Sequence, residues 1–232
     1  MYRIVFLIVT SVCLVKCTTK HKTVLLPYYN TPDFTPHFIT AGEAATTITH
    51  HIADFSFTDQ NNQTITQKSI EGKIHVANFF FTACGSICPK MMGNLKLAWD
   101  GLKTDTGIVF LSYSVTPWRD SVARLKKYAD NIAVQSPWHL LTGNKSAIYE
   151  LARRSYFAEE DFGYNRDSSE FLHTEHILLI DKQKRIRGIY NGTLQLETEQ
   201  LVKDIAVLKV KNNILLRHID LHFFILYFFV LN

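Results

Sequence analysis

Phe79-Phe80-Phe81-Thr82-Ala83-Cys84-Gly85-Ser86-Ile87-Cys88-Pro89-Lys90 is the stretch on which the reading of this chain turns. The run from Lys73 to Phe81 (KIHVANFFF) is almost continuously apolar, as expected of a strand buried on both faces of a sheet. After it, Met91, Met92, Leu95, Leu97, Ala98 and Leu102 recur at helical spacing. Pro89 suits the first turn of that helix, where its missing N–H would go unpaired anyway. Two thiols therefore fall between the carboxyl end of a strand and the start of a helix, where open α/β sheets carry their sites. Backbone N–H groups and the helix dipole favour an anion there, so a thiolate is stabilised. Thiolate is both the nucleophile of disulfide exchange and a soft ligand suited to Cu(I). The Cys-x-x-x-Cys spacing leaves those two chemistries tied. A purely structural disulfide is the plainer alternative, but closing so small a loop gains little. A pair of inert buried thiols would not account for this placement.

Working outward, Gly107 to Val115 (GIVFLSYSV) reads as a second buried strand. Asp120 to Asp130 reads as an amphipathic helix capped by Asp120 or Ser121. Trp138 to Thr142 is a short strand and Lys145 to Arg154 a helix. Phe171 to Asp181 and Arg185 to Tyr190 pair across the turn Asp181-Lys182-Gln183-Lys184, and Glu197 to Lys209 is a last amphipathic helix. Upstream, Ile52 to Phe57 and Thr64 to Thr66 form an N-terminal β-hairpin around the turn material Asp59 to Asn62. Strands alternating with helices imply an α/β fold, a central sheet flanked by helices, in one domain over 46–210.

The ends differ from this middle. The chain has 232 residues, 47% hydrophobic and 20% charged, with a formal charge of +4. Lys and Arg are interleaved with Asp and Glu, and no basic block carries stacking aromatics, so nucleic acid is excluded as a partner. Residues 1–19 have the form of an export leader: Arg3, then a run from Ile4 to Val15 too short for a membrane span. Cys17 closes that run as the acylated Cys of a bacterial lipoprotein would, although Lys16 fits such a site badly; Cys13, after Val12, is the weaker candidate. Pro27, Pro32, Pro36 and Gly42 mark 20–45 as an extended tether. The tail 211–232, with Phe223 to Leu231 apolar and aromatic, has no assigned role.

Two thiols do not complete a metal site, and ten histidines offer a third ligand. His21 and His37 lie in the tether, His218 and His222 in the tail, and His50 and His51 before the first strand. His75 enters the strand that ends near Cys84 and so belongs to the opposite end of the sheet, while His139 stays open. His173 and His176 are three apart, so on a regular strand they face opposite ways and only one can meet the cysteines. His173 precedes the apolar core of that strand and is the better placed of the two.

Cys84-Gly85-Ser86-Ile87-Cys88-Pro89, Ser114-Val115-Thr116-Pro117-Trp118-Arg119-Asp120-Ser121, and His173-Thr174 with Ile177 to Asp181 and Arg185-Ile186-Arg187-Gly188 resemble, in order, three motifs of the Sco/SenC family. The resemblance spans His50 to Lys209. It implies a thioredoxin-like fold and a metallochaperone that holds copper, Cu(I) or Cu(II), through Cys84, Cys88 and His173. The implied partners are the copper-bearing subunit of cytochrome c oxidase and other periplasmic copper or thiol carriers. The chain would be exported and held on the membrane by its N-terminal anchor, facing the periplasm. Handing copper on by ligand exchange needs no covalent turnover, so the resemblance implies a carrier rather than an enzyme. The alternative is a thiol-disulfide oxidoreductase in which one thiolate attacks and the other resolves. A peroxidase reading rests on Arg119 alone. Two positions depart from the family: Thr116 stands where Asp is common, and Lys182-Gln183-Lys184 where a Gly-containing turn is usual.

Overall fold

A computed structural model of the chain describes residues 25–158 and 174–210. The leader 1–19, His173 and the tail 211–232 lie outside the described residues. At the centre are β5 (Ile74–Phe80) and β6 (Ile108–Ser114), every residue of each buried, as the unbroken apolar runs predict. They pair in parallel, and β6 pairs in parallel with β7 (Trp138–Thr142). On the other side β8 (His176–Ile180) runs antiparallel to β5, and β9 (Ile186–Asn191) antiparallel to β8. The expected hairpin is present as β3 (Ser56–Asp59) and β4 (Thr64–Thr66), with β3 antiparallel to β7. With β1 (Tyr28–Tyr29) and β2 (Pro36–His37) the mixed sheet has the order β2-β1-β9-β8-β5-β6-β7-β3-β4.

Period-2 alternation divides the side chains of this sheet between two cores. Ile74, Val76 and Phe80 of β5 with Ile108 and Phe110 of β6 meet α3 (Ile87–Leu102), α4 (Val122–Asn131) and the helix α6 over 195–210. Ala77 and Phe79 with Val109, Leu111 and Tyr113 meet α5 (Lys145–Glu150) and α2 (Gln67–Ile70) on the reverse face. Helices thus cover both faces. Ser121 caps α4 by accepting from the Arg124 N–H, leaving Asp120 free for another task.

The structure revises the sequence reading at two elements. Within 20–45, the part from Leu25 onward is not an extended tether: β1, β2 and α1 (Ala41–Thr47) pack on the sheet edge. Tyr28, Ala44 and Ile48 form a small core of their own. The Arg187 guanidinium lies 3.6 Å over the Tyr28 ring and donates to the Leu26 and Pro27 carbonyls, each at 2.8 Å. The expected helix from Lys145 to Arg154 ends its regular part at Glu150 and continues as a π turn, Leu151–Ser155, that brings Tyr156 into the core. In the Lys182-Gln183-Lys184 turn, Lys184 adopts φ 63°, the left-handed conformation that glycine takes freely and lysine resists.

Candidate metal and redox site

Cys84 and Cys88 bracket the junction between β5 and α3 and are free thiols. The Cys84 N–H donates to the Phe81 carbonyl at 3.3 Å, which folds the chain back over the end of β5. Ser86, the residue before α3, gives the helix no side-chain cap. Instead the Cys88 N–H donates to Cys84 Sγ at 3.4 Å, so sulfur takes the place an oxygen usually fills.

The two thiols are chemically unequal. Burial works against ionising Cys84, but it is outweighed by hydrogen bonds from the Cys88 thiol and from the backbone at Ser86, Cys88 and Ile87. Cys84 is therefore held below the ordinary thiol value. Cys88 is 3% exposed, and burial, joined by the neighbouring Cys84, pushes it up to about 12. This is the division of labour of an attacking thiolate beside a resolving thiol. It also gives a soft metal one anionic sulfur at the surface and a second just beneath it.

Asp120 fixes the frame around the pair. Its carboxylate is fully buried and accepts from the Thr82 N–H (3.1 Å), Thr82 Oγ1 (2.5 Å), Ser114 Oγ (2.6 Å) and Thr116 Oγ1 (3.0 Å). Arg124 closes the circle, with Nε 2.5 Å from Thr82 Oγ1 and 3.5 Å from the carboxylate. The ends of β5 and β6 are thereby locked together two residues ahead of Cys84. Thr116 matters here because it donates to Asp120, whereas an aspartate in its place would face that carboxylate with a like charge. Beneath the site, Asn78 turns its amide towards the Met91 and Met92 sulfurs, at 3.9 and 3.4 Å, and accepts from Ser112 Oγ.

The histidines sort by register. His75 is buried at the far end of β5 against the Tyr156 hydroxyl, and His139 bonds the Asp59 carboxylate. His50 meets the Ser155 carbonyl. On β8, Ile177 and Leu179 face the α3 core that holds Cys88, whereas Leu178 and Ile180 face the reverse core. His176 shares the parity of Leu178, and its ring packs edge-on against Phe34, 5.8 Å away, on the side opposite the cysteines. The described chain resumes at Thr174 on the same end of the sheet as the dithiol, since β8 starts beside the end of β5. Gly192 tightens this corner: a Cβ there would lie 2.5 Å from Met91 Cγ, so only glycine lets the loop after β9 approach α3. Among the described residues no three of His, Cys, Asp or Glu converge to hold a metal. Tyr128, Arg124 and Thr82 escaped sequence reasoning, being brought beside the cysteines by tertiary packing alone.

A mixed sheet covered by helices, with a Cys-x-x-x-Cys pair at the first central strand-to-helix junction, defines a thioredoxin-like dithiol protein. Residues 43–209 match the SCO1/SenC family, and the chain belongs to it. It is 27% identical over 161 residues to the SCO1 protein homolog of Bacillus subtilis, covering 68% of this chain and 82% of the relative. Among solved structures, a SCO1/SenC family lipoprotein from Bacillus anthracis superposes with a TM-score of 0.60 at 26% identity, over 69% of this chain and 95% of that one. Arabidopsis thaliana ScoI, solved with copper bound, gives 0.52 at 25% identity, over 66% and 97%. Among the described residues no helix is long and apolar enough to cross a membrane.

Proposed function

We propose that this chain is a copper chaperone that carries the metal on Cys84, Cys88 and His173 and hands it to the binuclear copper site of cytochrome c oxidase. The observation that carries this reading is the free, unequal dithiol at the β5–α3 junction, in a chain of the SCO1/SenC family. Copper bound to the Arabidopsis relative supports it, and so does the soft character of the two sulfurs. Two facts support His173 as third ligand: the described chain resumes at Thr174 beside the dithiol, and His176 faces away. The half-buried Cys84 would release copper first, and the buried Cys88 last, as acceptor ligands replace them one at a time. The lipoprotein nature of the Bacillus anthracis relative supports an exported chain, anchored through 1–19 and facing the periplasm, with other periplasmic copper or thiol carriers as further partners.

The unequal thiols also favour a second reading, thiol-disulfide exchange initiated by Cys84, which can coexist with the first. Replacing His173 separates them. His173→Ala is expected to lose most copper affinity in a competition titration while its thiols react at the parent rate. Unchanged copper affinity in that variant refutes the ligand assignment.

A further inference from the structure

Beside the dithiol, Thr82, Arg124, Lys127, Tyr128 and Asn131 line a groove of about 340 Å³. Four of these residues sit at helical spacing on one face of α4, and Thr82, two residues from Cys84, forms the opposite wall. Tyr128 packs on the same core as both cysteines and feels their charge, so the groove lies on the dithiol's side of the sheet.

Many of the surface charges outside the groove are paired with one another. Lys126 pairs with Asp130, Lys96 and Lys103 with Asp100, Lys184 with Asp54, and Arg154 with Glu150. Among the described residues Lys127 and the exposed Arg119 in the loop after β6 make no ion pair, as is also true of Lys68, Lys90 and Lys203. Arg124 spends its Nε on Thr82 and Asp120, which fixes the guanidinium at the mouth of the groove. Trp118, 58% exposed, stands beside Arg119 in sequence; Trp and Arg are the residue types that anchor protein interfaces. No acidic side chain lines the groove, and with Arg124 paired to the buried Asp120 its net positive charge comes from Lys127.

We propose that this basic groove receives a carboxylate of the partner protein, an Asp or Glu next to the sulfurs that engage Cys84, and so sets which partners reach the dithiol. This builds on the carrier reading by naming the chemistry of the partner's face. A unit charge a few ångströms from a bound anion changes the local concentration of that anion several-fold in water, and salt screens the effect.

The test uses the full reduced, metal-free chain and two small disulfides of similar size. One is 5,5′-dithiobis(2-nitrobenzoate), with a carboxylate on each half, and the other is the neutral 4,4′-dithiodipyridine. In each reaction the Cys84 thiolate attacks one sulfur and expels half the reagent as a thiolate. Cys88 then loses its proton and displaces the second half, leaving a Cys84–Cys88 disulfide and two reduced reagent halves. The readout is the ratio of the anionic to the neutral rate. Lys127→Gln should lower it about threefold and Lys127→Glu about tenfold, with both effects fading at 1 M salt. Lys203→Glu, which changes net charge equally on α6, should leave it unchanged. An unmoved ratio in the Lys127 variants, or an equal change in Lys203→Glu, overturns the proposal. Because the ratio is read without copper, its outcome is independent of the copper assignment, which stands or falls on metal titration of the parent chain.

Discussion

Alkylation of the reduced, metal-free chain by iodoacetamide should label Cys84 and nearly spare Cys88. The two thiols stand on either side of the ordinary value, Cys84 held below it and Cys88 pushed up to about 12. At neutral pH the thiolate populations then differ by at least about three decades, the gap between Cys88 and an ordinary thiol. The more basic sulfur is intrinsically the better nucleophile, with a Brønsted coefficient of about 0.4–0.5, which returns about half of that gap on a logarithmic scale. The expected ratio of rates is therefore at least about 30-fold, before counting the burial of Cys88. Peptide mapping by mass spectrometry over a time course measures it directly. Cys88→Ser should still alkylate at Cys84 at close to the parent rate, because the serine hydroxyl can donate in place of the Cys88 thiol and the backbone donors at 86–88 are unchanged. In Cys84→Ser, Cys88 should remain slow, since desolvation, the larger cause of its shift, is untouched. Equal labelling of the two, or faster labelling of Cys88, would refute the argument that burial and helix-end hydrogen bonding divide the pair.

Two further outcomes follow from groups outside the dithiol. His75 is fully buried and its pKa falls to about 3, so the folded chain refuses a proton that the unfolded chain accepts below about 6.5. Stability is thus intact above that value and declines as pH drops; at pH 5 the loss amounts to about 2 kcal/mol, readable as the difference between parent and His75→Asn in urea titrations at pH 7.5 and 5. Parallel curves for the two proteins would rule this out. Asp120→Ala should cost about 3 kcal/mol or more in the same titrations at pH 7.5, because it strands the Thr82, Ser114 and Thr116 donors in a buried site; a loss under about 1 kcal/mol would show that water replaces the carboxylate.

The central strands were legible because burial on both faces leaves uninterrupted apolar runs, and Trp138–Thr142 appears with the bounds expected of it. The N-terminal additions were not, for physical reasons. Strands of two residues carry no period, and α1 buries only Ala44. One signal was readable there: Thr40 and Glu43 have capping-box spacing, and the structure shows both of its hydrogen bonds. At the site, the motif reveals the two cysteines but not their inequality, which arises from depth and from which backbone amides face which sulfur. Of the two histidines, His176 is turned away from the cysteines by the register of β8, and His173 lies outside the described residues. Arg124 and Thr82 are 42 residues apart, and no local pattern announces their contact.

The sulfur that ends the turn before α3 serves two masters. Ser86 withholds its side chain, Pro89 has no N–H to offer, and the Cys88 amide leans on Cys84 Sγ. As a thiolate, that sulfur grips the amide firmly; once its charge is spent in a disulfide, the grip slackens. A single backbone proton is thus a gauge of the site's chemical state. Its hydrogen-exchange rate registers each change at Cys84 with no label on cargo or partner, and the helix frays or tightens at its first turn accordingly.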